Sequence, residues 1–186
     1  MKTVWISIRV FAVLSILTGL IYPLMMTGVA QVLFPHQAKG SLIIEHGLTS
    51  GSALIGQAFT SNKYFWPRPS AVAYNPLPSG GTNLGPTAVS LRDSVVARAA
   101  RFGAPIIAVP SDLLEASGSG LDPHISPEAA LFQIDRILDA RGRTLAGHSD
   151  LANLVVSHTE PPQFGLLGEP RVNVLELNLA LDSLMH

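Results

Sequence analysis

Asp122 and His124 are the residues of this sequence whose types and spacing best suit acid–base or metal chemistry. A carboxylate and an imidazole can exchange a proton or ligate a metal ion. A zinc site needs a third ligand, and the sequence contains no HExxH or GxSxG motif. The six histidines are scattered without metal-ligand spacing. We therefore predict no catalytic residue and no metal site, and we keep a hydrolase using Asp122 and His124 as the alternative.

Ser79, Gly80 and Gly81 begin a stretch of small residues, 79–86, directly before a predicted helix. Glycines let backbone amides approach an anion, and the N-terminus of a helix favours negative charge. The stretch lacks the GK[ST] ending of a phosphate-binding loop, so no lysine or magnesium ligand is supplied. From the residues alone, a structural turn is favoured over a nucleotide site.

Other polar residues lie in stretches suited to contact with a partner. Pro67 and Pro69 fix an extended path around Arg68, which predicts a rigid connection packed on the core or a finger that presents the arginine. Glu169 and Arg171 precede the last predicted helix, and we expect them to pair locally. The candidate subunit contacts are Tyr22, Pro23, Arg68, Asp122, His124, Arg171 and Asn173.

The elements that must position these residues indicate a mixed α/β domain whose topology stays open. Short apolar runs predict strands at 52–56 and 106–109. Apolar periodicity predicts helices over 86–101, from 149 or 150 to about 158, and over 173–184. The clearest helix begins at the N-cap Ser126, has Pro127 at its first position and ends at Gly142.

An apolar segment precedes this domain. Residues 10–37 contain no Asp, Glu, Lys or Arg, and crossing a bilayer takes about 20 apolar residues of helix. We predict a transmembrane helix over 10–34, kinked at Tyr22-Pro23 and packed on other membrane helices through its small residues. Lys2 and Arg9 precede the span and only Lys39 follows closely, so residues 1–9 are expected in the cytoplasm and 35–186 outside.

A cleaved signal peptide is the competing interpretation of the apolar segment, with a cleavage site at residues 28–30. Signal h-regions run about 7–15 residues, and this run is longer and continues past that site. We therefore favour a retained anchor. Both interpretations place the folded domain on the same side of the membrane.

Composition excludes several classes of protein. From Ala38 onward there are 10 Lys and Arg against 13 Asp and Glu, a net charge of −3. Such a domain has no basic surface for nucleic acid, and aromatic residues are too few for base stacking. The chain has no cysteine, which excludes disulfides and thiolate metal sites. Charged residues make up 13% of the chain, which suggests surface covered by other subunits.

Several motifs, in order along nearly the whole chain, resemble the C subunit of the Kdp potassium pump. The most specific is ASGSGLDPHISP at 116–127. The others are Tyr22-Pro23 in the span, GSALIGQ at 51–57, RPS at 68–70, Tyr74-Asn75, SGGTNLGP at 79–86, Thr159-Glu160 and LGEPRVNVL at 167–175.

The resemblance implies a non-catalytic, single-pass subunit of a bacterial inner-membrane complex for ATP-driven potassium uptake. Its implied partners are a channel-like potassium-translocating subunit, a P-type ATPase subunit and a small helical subunit, together with membrane lipid. It implies no tightly bound cofactor. The family has been described as a catalytic chaperone that raises the ATP affinity of the ATPase subunit, with nucleotide contact implied at Ser79, Gly80 and Gly81.

The flanking charges favour a different route to the same effect. They place Ser79, Gly80 and Gly81 outside the cell, where ATP is scarce. A domain at the external mouth of the channel-like subunit agrees better with that orientation. Any effect on ATP use would then be transmitted through the membrane helices.

Overall fold

The computed structural model describes residues 2–45, 47–142 and 146–184. The chain divides into two compact units, Met1–Ser50 and Gly51–His186.

The first unit is dominated by one long apolar helix. Helix α1 (Lys2–Ile16), a π-helical turn (Leu17–Ile21) and helix α2 (Tyr22–Leu33) run on continuously. Together they give 32 helical residues, and an 18-residue window within them has a mean hydropathy of 2.1 and no buried residue. The helix is therefore long and apolar enough to cross a membrane. The helix covers nearly all of the predicted span and begins eight residues earlier.

The π-helical turn lies immediately before Pro23. The backbone N–H of Tyr22 donates to the carbonyl oxygen of Leu17, five residues back. Proline has no N–H, and its ring crowds the carbonyl four residues earlier, which here belongs to Gly19. A wider turn relieves that crowding, and a π turn is one recognised way for a helix to absorb such a break. The break that Pro23 imposes on the hydrogen-bond ladder is therefore absorbed by the π turn at Leu17–Ile21.

After the long helix come a single turn of helix and a hairpin. Helix α3 covers Pro35–Ala38. Strands β1 (Leu42–Glu45) and β2 (Leu48–Ser52) form a two-stranded sheet.

The second unit is mixed α/β, as predicted. Its helices are α4 (Val89–Ala100), α5 (Ser111–Leu114), α6 (Pro127–Phe132), α7 (Ile134–Arg141), α8 (Ala146–Ser157) and α9 (Val174–Leu184). Strands β3 (His124–Ile125), β4 (Thr159–Glu160) and β5 (Arg171–Asn173) form an antiparallel sheet with β5 in the centre. Within it His124 pairs with Asn173, and Thr159 pairs with Val172.

The core lies between the later helices and this small sheet. Its largest fully buried apolar side chains are Phe65, Ile134, Ile137, Leu151, Val155, Val172, Val174, Leu177 and Leu181. Phe65 belongs to an extended segment that pairs with no described strand. Its backbone N–H donates to Asn178 Oδ1 at 2.8 Å, and Asn178 Nδ2 donates to its carbonyl oxygen at 3.0 Å. A side-chain amide thus satisfies buried backbone groups that a strand would otherwise pair.

Both predicted strands were wrong. Residues 53–55 form a turn after β2, and Ile106–Ala108 form one turn of 3-10 helix. Ile107 is 97% exposed. A short apolar run is ambiguous between strand and helix, because only a neighbouring edge stabilises a strand, and in the described structure no strand pairs with either run.

The predicted helices were found with shifted ends. Ser126 Oγ accepts a hydrogen bond from the N–H of Ala129 at 3.0 Å, and Gly142 ends α7 in the left-handed conformation. The predicted single helix between them is broken at Gln133 into α6 and α7. Helix α4 begins at Val89 rather than 86, α8 begins at Ala146 rather than 149 or 150, and α9 begins at Val174 rather than 173.

Candidate functional site

A charged depression of about 540 Å³ lies beside β3 in the second unit. Its described walls carry more acidic than basic side chains. The acidic residues are Asp112, Glu115, Asp122, Glu128 and Glu169, and the others that can carry charge are Arg68, Arg171 and His124. Four of the seven residues predicted as subunit contacts therefore lie around this one depression.

Arg68, Asp122 and His124 meet at the centre of this charged group. Arg68 Nη1 donates to Asp122 Oδ2 at 3.1 Å. The backbone N–H of His124 donates to Asp122 Oδ1 at 3.0 Å, and His124 Nδ1 lies 3.5 Å from the same oxygen. Burial raises the pKa of Asp122, but the hydrogen bonds from His124 and the charge of Arg68 outweigh it and lower that pKa below 3.8. The carboxylate stays ionised at neutral pH and is occupied by partners within the fold.

The chain on both sides of Arg68 is held in place by other loops. Tyr74 Oη donates to the carbonyl oxygen of Arg68 at 2.6 Å. The backbone N–H of Ser117 donates to the carbonyl oxygen of Pro69 at 3.0 Å. Burial raises the pKa of Tyr74 to about 12, so its phenol keeps the proton it donates. The two prolines and these hydrogen bonds make the segment a rigid connection that also presents the guanidinium to the depression.

The loop of Ser79, Gly80 and Gly81 packs against the glycine-rich loop at 117–120. The N–H of Gly80 donates to the carbonyl oxygen of Ser119 at 2.9 Å. A Cβ on Gly81 would lie 2.9 Å from the carbonyl oxygen of Gly118. Gly120 has a φ of +71°, and a Cβ there would lie 2.8 Å from the carbonyl oxygen of Gly80. The Gly80 amide is thus used within the fold, and α4 begins only at Val89, so the loop does not adjoin the N-terminus of that helix.

Helix α7 and the turn before it carry polar residues whose role the sequence did not predict. Gln133 is buried, and its Oε1 accepts from the N–H of Trp66 at 2.8 Å while its Nε2 donates to the Trp66 carbonyl at 3.1 Å. The guanidinium carbon of Arg136 lies 3.9 Å from the centre of the Trp66 ring, and that of Arg101 lies 4.6 Å away. Burial and the charge of Arg101 lower the pKa of Arg136 to about 10. The sequence signal that could have identified Gln133 is its position within an otherwise apolar helical face.

The remaining candidate contacts are dispersed. Arg171 Nη2 lies 2.8 Å from Glu160 Oε2, so the predicted local pair with Glu169 was wrong: the antiparallel register of β4 and β5 sets Arg171 opposite Glu160. Asn173 is buried, where its Nδ2 donates to the carbonyl oxygen of Ala53 and its Oδ1 accepts from the N–H of Leu175. Tyr22 and Pro23 belong to the long helix of the first unit, where Tyr22 is exposed.

The described residues give little support for chemistry in the depression. No group of three or more His, Asp or Glu residues could hold a metal ion within the described ranges. Ser126 Oγ caps α6, and Asp112 Oδ2 accepts from the N–H of Ser126 at 2.6 Å. Among the residues described there, His124 forms no hydrogen bond with a serine hydroxyl. The arrangement favours a surface for recognition over a nucleophile and its base.

Comparison with known proteins identifies the family. The family model described as "K+-transporting ATPase, c chain" matches residues 4–183. Proteins named "Potassium-transporting ATPase KdpC subunit" are 51% identical in Geobacter sulfurreducens, 54% in Variovorax paradoxus and 53% in Rhodospirillum rubrum. The matches cover 100%, 95% and 98% of this chain and 100%, 94% and 96% of those relatives. This chain therefore belongs to the KdpC family of subunits of the potassium-transporting ATPase.

Proposed function

We propose that this chain is a non-catalytic, single-pass accessory subunit of a high-affinity, ATP-driven potassium uptake complex in a bacterial inner membrane. The observation that carries the proposal is the family match from residue 4 to residue 183, which includes both the apolar helix and the α/β unit. The charged depression beside β3 also supports a role in recognition, because the carboxylate of Asp122 is already paired with Arg68. Turnover by the chain alone is not expected.

Two larger membrane proteins, the channel-like subunit and the P-type ATPase subunit, are the proposed principal partners, with a small helical subunit as the third. The long helix offers small residues for close helix packing, together with the exposed Tyr22 and the π turn before Pro23. The charges that flank it favour an orientation with the N-terminus in the cytoplasm and the α/β unit outside, which is the orientation we propose. The role proposed for the chain is to stabilise assembly of the complex.

We further propose that the chain raises the ATP affinity of the ATPase subunit indirectly, through the membrane helices. The competing proposal is direct nucleotide contact at Ser79, Gly80 and Gly81. The variant Gly80→Ala distinguishes the two proposals. A Cβ on Gly80 meets nothing within 4 Å, so the substitution leaves the loop intact and tests only nucleotide contact. Direct contact predicts a higher KM for ATP in the complex carrying Gly80→Ala. The indirect route predicts an unchanged KM.

The assembly role is tested by co-purification. An affinity tag on the full-length chain, expressed with the other subunits and extracted in mild detergent, is expected to retain the channel-like and ATPase subunits. A reporter fused to the C-terminus and active only outside the cytoplasm is expected to be active. Isolation of the chain as a stable monomer without those partners would overturn the proposal.

A further inference from the structure

The hairpin between β4 and β5 ends in a turn that holds large apolar side chains in solvent. We call residues 163–167 the apolar tip. Within it Phe164 is 92% exposed, Leu166 is 86% exposed and Leu167 is 62% exposed. Single exposed apolar residues are ordinary, but three within four positions on one turn form a patch of the kind that marks an interaction site.

The apolar tip has a defined backbone. Gln163 and Leu167 exchange two backbone hydrogen bonds of 2.9 and 3.0 Å, and the N–H of Leu166 also donates to the carbonyl oxygen of Gln163 at 3.1 Å. Phe164 has a φ of +56°, a strained conformation for a bulky residue. The backbone of Phe164 keeps this strained conformation although its ring lies in solvent. The turn therefore presents its side chains in a fixed arrangement, which lowers the entropy cost of binding.

The surroundings of the apolar tip indicate the chemistry of its partner. Residues 161–168 carry no charge. At the base of the hairpin Arg171 is paired with Glu160, which leaves Glu169 as the unbalanced charge. Segments that insert into anionic lipid surfaces combine apolar residues with Lys and Arg, and this hairpin has the opposite balance. A protein pocket with an apolar floor and a basic rim is the complementary surface.

The apolar tip is continuous with the charged depression. Glu169 and Arg171 line that depression and also a second one, of about 360 Å³, whose wall includes Leu167. An apolar anchor beside a polar, charged rim is the usual composition of a specific protein–protein interface.

We propose that the apolar tip is the anchor by which this chain docks into an apolar pocket with a basic rim on another subunit of the same complex. The proposal rests on the proposed function, because it needs the chain to work within an assembly. Phe164 and Leu166 fill the pocket, and Glu169 faces its rim.

Photochemical crosslinking identifies what the tip touches. A benzophenone analogue of phenylalanine replaces Phe164 in the full-length chain, expressed with all other subunits in intact membranes. Irradiation is expected to give a covalent adduct with a different polypeptide of the complex. An adduct only with lipid, an adduct only with a second copy of this chain, or no adduct would overturn the proposal.

Substitution measures the strength of the contact. Phe164→Ser combined with Leu166→Ser should lower retention of the partner subunits at least 30-fold, the size expected for a buried apolar anchor. Val89→Ser is the matched control, since Val89 is 71% exposed but lies on α4, outside the hairpin. The unfolding midpoint of the full-length chain should be the same in both variants. Equal retention of the partners by both variants would overturn the proposal.

The wild-type chain separates failure of this proposal from failure of the proposed function. If the wild type does not retain the other subunits, the proposed function fails. If the wild type retains them and the double tip variant retains them equally well, only the role of the apolar tip fails.

Discussion

The side-chain amide of Gln133 forms two hydrogen bonds with the backbone of Trp66, in the way that a neighbouring strand would. Its amide accepts from the Trp66 N–H at 2.8 Å and donates to the Trp66 carbonyl at 3.1 Å. The same residue interrupts the helix between α6 and α7. One buried side chain therefore fastens the segment that leads into Arg68 to the helical core.

Replacing Gln133 by leucine should destabilise the fold. The variant leaves the N–H and carbonyl of Trp66 without partners, and each buried unsatisfied group costs about 1–3 kcal/mol. We expect the free energy of unfolding of the detergent-solubilised chain to fall by about 2–5 kcal/mol, measured by chemical denaturation. Asn153→Leu, at an exposed position of α8, should change it by less than about 0.5 kcal/mol. Similar values for the two variants would contradict the role of Gln133.

The Asp122 carboxylate predicts a specific acid sensitivity. Because the hydrogen bonds from His124 and the charge of Arg68 lower its pKa in the folded chain, its ionised form stabilises the fold above the ordinary value of 3.8. That stabilisation is lost as the pH falls through 3.8 and down to the lowered pKa. We expect Asp122→Asn to be less stable than the wild type at neutral pH and to show a smaller loss of stability on acidification through this range.

The control for Asp122 is Asp93→Asn, at an exposed position of α4. This variant should keep the acid sensitivity of the wild type when unfolding is followed at a series of pH values from 6 down to the acid range. A pH profile of Asp122→Asn that overlays the wild-type profile would contradict the account of the Arg68–Asp122 pair.

The two glycines of the 117–120 loop predict opposite outcomes of the same substitution. Gly120 has a φ of +71°, and a Cβ there would meet Val72 Cγ2 at 2.6 Å and the Gly80 carbonyl oxygen at 2.8 Å. Gly120→Ala should cost about 2–4 kcal/mol from backbone strain and overpacking. Gly118→Ala meets nothing within 4 Å and should be neutral. Thermal unfolding of the two variants checks this, and equal midpoints would show that the loop is not tightly packed.

The π turn predicts the effect of removing Pro23. Pro23→Ala restores a backbone donor and removes the ring that crowds the Gly19 carbonyl, so residues 17–21 should return to regular α-helix. The backbone carbon chemical shifts of Leu17–Ile21 in micelles report the change. Gly28→Ala, which adds a methyl group with nothing within 4 Å, should leave those shifts unaltered. Persistence of the π turn without the proline would contradict its proposed cause.

Local signals in the sequence predicted local structure well. The cap at Ser126, the stop at Gly142 and the long apolar helix each depend on a few neighbouring residues, and all were found. The apolar faces that pack Ile134 and Leu177 into the core follow in the same way from helical periodicity.

Features that depend on distant contacts were not predicted. The pairing of Arg171 with Glu160 required the register of β4 and β5, and Gln133 binds a backbone 67 residues earlier in the chain. The run at 106–109 became a 3-10 turn because no strand edge lies beside it in the described structure. The sequence predicted individual residues of the depression but not the depression itself, because its described walls come from four separate stretches of chain.

Potassium-stimulated ATP hydrolysis tests the central claim most directly. The assay compares the purified complex, the complex expressed without this chain, and the chain alone. We predict full activity only when the chain is present within the complex, no turnover by the chain alone, and a higher KM for ATP in any residual activity of the complex that lacks it. ATP hydrolysis by the isolated chain, or unchanged activity of the complex without it, would contradict the account.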